Sequence, residues 1–280
     1  GSIGRADVFN VANTIPNMLY ILLAGGVFNA VLVPQLVRAI KQDPDGGQAY
    51  TQRIVTLATI FLAAVTVVLV AAAPLLIRLY FHHHTEAETQ SAITFARYCL
   101  PQVFFYGMFV LLGQVLNAHR SFGPMMWAPI ANNVVSVAVL VFYIAYFGTA
   151  GTGDYSRGEE LLLGLGSTAG IALQFLVLVP YLRAIGFRFR PRFDFRNTGL
   201  SHTLSLGIWT VLFVIVNQAA YIVVTGLATT GSGRNGSGYT IYSNAFLLTQ
   251  VPHSIVTVSL ATAVLPTLSA RVVALDPRGF

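Results

Sequence analysis

The 280-residue chain is 55% hydrophobic and only 9% charged, with a mean hydropathy of +0.69. Soluble domains carry about 25% charged residues, so this inventory excludes a water-facing surface and makes lipid the expected solvent. The net charge of +6 does not describe a nucleic-acid partner, because the basic residues sit in short loops between apolar runs rather than on a face with interleaved aromatics.

Seven stretches lack Asp, Glu, Lys and Arg: 8–37, 54–77, 98–119, 121–153, 161–182, 197–233 and 235–270, each 22 residues or longer. A helix needs about 20 residues to cross the hydrocarbon core. Trimming Gly/Ser/Thr-rich ends leaves expected spans at about 8–37, 54–80, 92–117, 125–147, 160–182, 203–228 and 240–268. These runs are too long, and too apolar on every side, for barrel strands. The fold class is therefore an all-α, polytopic transmembrane helix bundle.

Basic residues orient it. Arg38, Lys41, Arg53, Arg120, Arg183, Arg188, Arg190, Arg192, Arg196, Arg271 and Arg278 fall in one alternate set of loops, 11 of the 16. Arg5, Arg78, Arg97, Arg157 and Arg234 fall in the other. Positive residues favour the cytoplasm, which places residue 1 outside and residue 280 inside. An outside N-terminus calls for a signal peptide or an earlier span, and neither precedes Gly1. The expectation is a fragment lacking at least one N-terminal helix.

The first and last runs share a pattern. Ile15-Pro16 is followed by Val33-Pro34, and Val251-Pro252 by Leu265-Pro266, with proline separations of 18 and 14 residues. The pattern arises by chance or marks a six-helix unit repeated with preserved orientation, as in transporters with a site between two lobes. Each proline is a candidate kink or gating point, tolerated where partners or water satisfy the freed carbonyl.

Polar residues inside the spans are the candidate pathway. Asn10, Asn13 and Asn17 share one helix face. They either bridge helices by hydrogen bonds or line a wet cavity for a polar headgroup. Asp7 is a helix-start residue favoured by the dipole or a cation or proton site. Arg97 either snorkels to the outer interface or binds an anion, and Gln218 adds an amide to the sixth run. His82-His83-His84 with Glu86 reads as a loop without a second ligand cluster. Cys99, the single cysteine, excludes an internal disulfide and a multi-cysteine site. No nucleophile–base pair, phosphate-cradling loop or HExxH supports an enzyme, and no cofactor or metal is expected.

The segment Ala6-Asp7-Val8-Phe9, Ala12, Ile15-Pro16-Asn17, Gly26, Phe28 and Val33-Pro34 resembles the second helix of the MurJ (MviN) family of lipid II flippases. The similarity continues through Leu116-Asn117, Ala128-Pro129, Ile185-Gly186, Pro191-Arg192-Phe193-Asp194-Phe195 and Gln218. It ends at Val251-Pro252, Leu260-Ala261-Thr262 and Leu265-Pro266, and Ala12 to Met18 looks like the actinobacterial branch. The resemblance implies helices two to eight of a two-lobed, fourteen-helix fold of the multidrug/oligosaccharidyl-lipid/polysaccharide exporter superfamily. It implies five spans of an N-terminal lobe over 1–185, a basic cytoplasmic loop at 186–202 and the start of a C-terminal lobe over 203–280. The implied task, in the bacterial plasma membrane, is to carry the undecaprenyl-pyrophosphate-linked peptidoglycan precursor, lipid II, to the outer leaflet by alternating access. Coupling to an ion or the membrane potential is implied too, with membrane lipids as surroundings. Where family members carry cationic and acidic residues along the second and eighth helices, this chain has Tyr20, Ile21, Gly25 and Leu247, so that clamp does not carry over. A related exporter of drugs or polysaccharide units and a non-transporting membrane scaffold are the alternatives.

The orientation is testable in a Cys99→Ala background. A Cys introduced near Gly153 or Gly233 is expected to react with a membrane-impermeant reagent from outside, and one at Arg190 only from the cytoplasm. Outside labelling at Arg190 would invert the topology.

Overall fold

The structure is a computed structural model that describes residues 2–21, 36, 39, 43–80, 86–148, 155–194, 212, 216–217, 219–228, 239–253 and 256. Its helices are α1 (Ser2–Ile21), α2 (Gln48–Ala71), α3 (Ala73–Tyr80), α4 (Glu86–Cys99) and α5 (Gln102–Ala118). They continue with α6 (Gly123–Phe147), α7 (Arg157–Leu176), α8 (Leu178–Ala184), α9 (Ala219–Ala228) and α10 (Tyr239–His253). No strand occurs among the described residues. Four helical stretches there are long and apolar enough to cross a membrane: Gln48–Ala71, Glu86–Ala118, Gly123–Phe147 and Arg157–Ala184. They overlie the spans expected at 54–80, 92–117, 125–147 and 160–182. The spans expected at 8–37, 203–228 and 240–268 extend outside the described residues; α1, α9 and α10 cover the described parts of them.

Prolines explain where long apolar runs break. Turns at Ala72, at Leu100-Pro101 and at Val177 separate α2 from α3, α4 from α5 and α7 from α8. Pro74, Pro101 and Pro180 lie at or just after these turns. Each lacks the N–H that would continue the ladder, and its ring crowds the preceding turn. The other boundaries are capped. Ser156 and Glu159 form a reciprocal capping box at the start of α7, and Glu159 also accepts a 2.7 Å hydrogen bond from the Tyr143 hydroxyl. After α8, the Phe187 N–H bonds the Leu182 carbonyl at 2.9 Å and the Gly186 N–H bonds that of Arg183 at 3.0 Å, with Gly186 at φ 81°. This Schellman ending suits glycine, because a side chain disfavours positive φ.

Packing follows the membrane rule of close approach at small residues. Helix α7 lies against α6 and α4, and α5 against α2, α7 and α8. A Cβ added at Gly164 of α7 would stand 2.7 Å from the Tyr98 Cβ, so the two backbones meet here without a side chain between them. The Thr168 hydroxyl bonds the Tyr98 carbonyl at 2.6 Å one turn later. One apolar cluster joins α2, α5 and α8 around Leu62, Leu111 and Leu116; another joins α1, α3 and α4 around Val11, Ile77 and Phe95 and takes in Tyr239 of α10. Helix α6 leaves Met126, Val137, Leu140 and Phe142 exposed. In water that patch would seek a partner; on a spanning helix it is the face for lipid.

After the Schellman turn, residues 187–194 run back along α2. The Gln52 amide donates to the Arg188 carbonyl at 2.5 Å and accepts from the Arg190 N–H at 2.7 Å. One turn on, the Thr56 hydroxyl accepts from the Arg192 N–H at 3.0 Å, and Arg53 pairs with Asp194 at 3.0 Å. Polar side chains of α2 thus satisfy backbone groups of an irregular segment, as an adjacent strand would.

Two predictions follow from these contacts. Gly164→Val is expected to lower the thermal unfolding midpoint of the detergent-solubilised protein, with an overpacking cost of about 1–3 kcal/mol. Gly123→Ala, with no atom within 4 Å of the added carbon, should leave the midpoint unchanged. At the start of α2 the Asp45 carboxylate accepts N–H bonds from Ala49 at 2.8 Å and Gly47 at 3.0 Å. These bonds, that of Ala49 foremost, hold its pKa below the usual aspartate value. A depressed pKa contributes stability that is present above the unfolded-state pKa and lost as pH falls through the folded one. The stability gap between wild type and Asp45→Ala should therefore be largest at neutral pH and close on acidification.

Candidate functional site at the junction of α1 and α10

Helix α1 carries its polar residues on a mostly apolar cylinder, and tertiary contacts sort them. Val8, Val11, Ala12 and Ile15 are buried, and Phe9 meets Phe95 edge-on with ring centroids 5.3 Å apart. This packing seats α1 against α4. Asp7 is held between the helices, only 1% exposed.

The Asp7 carboxylate reaches the start of a helix more than two hundred residues away. It accepts the Thr240 N–H at 2.8 Å and also the Thr240 hydroxyl. Thr240 is the second residue of α10, and its N–H is one of the donors that a helix start leaves without an internal partner. Asp7 therefore caps α10 from outside, and its charge faces the positive end of the helix dipole. Two further bonds share the face. The Asn10 amide donates to the Thr240 hydroxyl oxygen at 2.9 Å. The Tyr239 hydroxyl donates to the Thr14 oxygen at 3.1 Å and lies 2.9 Å from the Tyr221 hydroxyl of α9. Tyr239 is 2% exposed, so this patch excludes water.

The face expected from Asn10, Asn13 and Asn17 divides. Asn10 turns to α10. Asn13 accepts a 3.1 Å bond from Gln102 of α5, an interhelical bridge within the first bundle, the packed helices α1 to α8. Asn17 is exposed, as is Arg97 of α4. Pro16 is buried within α1 and Pro252 is exposed within α10. Gln218, Pro34, Pro266 and His82 to His84 lie outside the described residues. Among the described residues no group of His, Cys, Asp and Glu is arranged to hold a metal ion.

Sequence reasoning missed Thr14, Tyr239 and Thr240. Thr14 follows Asp7 by seven residues, on the same helix face, and a threonine there drew less notice than three asparagines. Tyr239-Thr240 follows Gly231 to Gly238, a run rich in glycine, and opens an apolar stretch. That is where a helix start belongs, but nothing local names the residue that caps it.

The chain matches the family model described as "Lipid II flippase MurJ" over residues 1–278. It is 28% identical over 277 residues to a protein of Burkholderia cenocepacia named lipid II flippase MurJ, covering 96% of this chain and 51% of that one. Two proteins named probable lipid II flippase MurJ are similar as well. That of Haemophilus influenzae is 25% identical, covering 96% of this chain and 52% of its own length, and that of Vibrio cholerae 26%, covering 100% and 53%. The chain thus spans about half the length of the curated relatives it matches. The match runs through the Asp7 helix, the membrane-length helices and α10 in order, and on it this all-α, multi-pass membrane chain belongs to the MurJ family of lipid II flippases.

Proposed function

We propose that the protein containing this chain carries the lipid-linked peptidoglycan precursor lipid II from the inner to the outer leaflet of the plasma membrane, and that the Asp7–Thr240 junction is its outer gate in the closed position. The observation that carries this reading is the capping of α10 by a carboxylate of α1. The basic residues favour an orientation with the starts of both helices on the outer side. A contact there joins the first bundle to the helices after the basic loop and seals the outer end of the space between them. Access is then from the cytoplasmic side, where the precursor begins.

The headgroup explains the need for such a device. A disaccharide-pentapeptide on a pyrophosphate cannot cross hydrocarbon unaided, since each desolvated polar group costs several kcal/mol. Alternating access requires that the closing contacts be exchangeable. Hydrogen bonds to a charged group contribute about 1.5–3 kcal/mol each, and moving a two-state equilibrium from 1:99 to 99:1 takes about 5.5 kcal/mol. A few bonds centred on Asp7 are on that scale, so an ion gradient or the membrane potential is able to shift them. Asp7 itself is the group through which a cation or proton would act.

Two experiments on the full-length protein test this in flippase-depleted cells, with membrane abundance measured beside growth. Asp7→Asn keeps the shape and removes the charge, so abundance should hold while rescue falls; Asp7→Glu should be milder. Full rescue by Asp7→Asn at normal abundance would leave Asp7 a helix-capping residue only. Asp7→Cys combined with Thr240→Cys, in the Cys99→Ala background, should cross-link under oxidation and arrest growth until reductant is added. Growth at wild-type rate with the pair fully cross-linked would rule out an opening gate at this junction.

A further inference from the structure

At the other end of the first bundle, a cleft of about 750 Å³ opens between α2, α5, α7 and α8, with residues 187–189 across its mouth. Its volume is within the range of pockets that enclose small molecules, about 300–1,000 Å³. Its character changes with depth. Val55, Met108, Leu112 and Leu182 are buried at the inner end, and the half-buried rings of Phe104 and Phe175 form the sides. The Thr59 hydroxyl, the one polar side chain of the interior among the described residues, already donates to the Val55 carbonyl at 2.7 Å. The mouth holds Arg183 and Arg188, both exposed.

The backbones of these arginines are held in place, and their charges are not neutralised. Arg183 lies in the last turn of α8, and the Arg188 backbone is tied to Gln52 of α2. Among the described residues neither has an acidic partner, and the ion pair on this face uses Arg53 and Asp194 instead. The cleft is thus apolar within and cationic at its rim, complementary to a molecule with one anionic head and a hydrocarbon chain. Guanidinium groups match phosphate oxygens in geometry as well as charge.

We propose that this cleft binds one anionic phospholipid of the cytoplasmic leaflet, with its phosphate on Arg183 and Arg188 and an acyl chain against Phe104, Met108 and Phe175. The orientation read from the basic loops places the rim at the cytoplasmic surface, whose leaflet is the negatively charged one. Among the described residues no lining side chain comes from α1 or α10, so the site is separate from the junction at Asp7 and independent of the transport reading. The lipid would wedge α2, α7 and α8 together under the segment that Gln52 clasps.

The test is native mass spectrometry of the full-length protein released from micelles equilibrated with equal phosphatidylglycerol and phosphatidylcholine. Wild type is expected to retain one phosphatidylglycerol in preference. Arg183→Gln with Arg188→Gln should lower that retention by roughly thirtyfold, from about a fivefold electrostatic contribution per arginine. Arg190→Gln, which changes an equally exposed arginine outside the cleft, should not. Val179→Trp, which narrows the cleft and leaves both arginines, should also lower retention. Unchanged preference in the double arginine variant would overturn the proposal, as would unchanged retention in a folded Val179→Trp protein, which marks loose surface attraction. Displacement of the retained lipid by added lipid II, one for one, would make this a substrate site and overturn it equally.

Discussion

Hydrocarbon offers neither donors nor acceptors, and a backbone group left open inside it costs several kcal/mol. Each departure from continuous helix must therefore be satisfied by other protein groups. Proline interruptions divide the stretches Glu86–Ala118 and Arg157–Ala184, yet the neighbouring helices pack against both segments of each. The same demand shapes the first turn of α10. The Thr240 N–H there faces α1, and Asp7 answers for it at a distance of 233 residues.

A consequence is that polar chemistry concentrates at the two ends of the first bundle. At one end, Asp7, Asn10 and Thr14 meet Tyr239 and Thr240 in a small dry patch. At the other, Gln52 and Thr56 pair with backbone groups of residues 188–192. Between them the helices are held mainly by shape, Gly164 against Tyr98 and Leu62 against the backbone of Gly107, with the Asn13–Gln102 and Thr168–Tyr98 bonds as bridges. Such an arrangement favours a rigid middle, with hydrogen-bonded contacts between distant segments gathered at the two ends.

Much of this was legible from composition and spacing. The apolar runs announce spanning helices because lipid tolerates little else, whereas the breaks beside Pro74, Pro101 and Pro180 emerge only in the structure. Asp7 stood out as an acid at the edge of an apolar run. The pairing partners were hidden. Nothing near Thr240 in the chain specifies an aspartate from the first helix, and Asn13 differs from Asn10 only by a rotation of the helix that tertiary packing alone assigns. The Gln52 clasp was equally invisible, since a glutamine near a helix start reads as surface. Its role depends on where a distant loop returns.

That clasp also changes how far the chain can stretch. An extended residue spans about 3.3–3.6 Å, so a free segment of eight residues would supply roughly 26–29 Å of slack. Residues 187–194 are pinned to α2 at alternate positions and supply none. The helices that follow are tethered from Asp194 rather than from the end of α8. Any displacement of the chain that follows is set by the shorter leash, whose anchors are the Gln52 amide, the Thr56 hydroxyl and the Arg53–Asp194 pair.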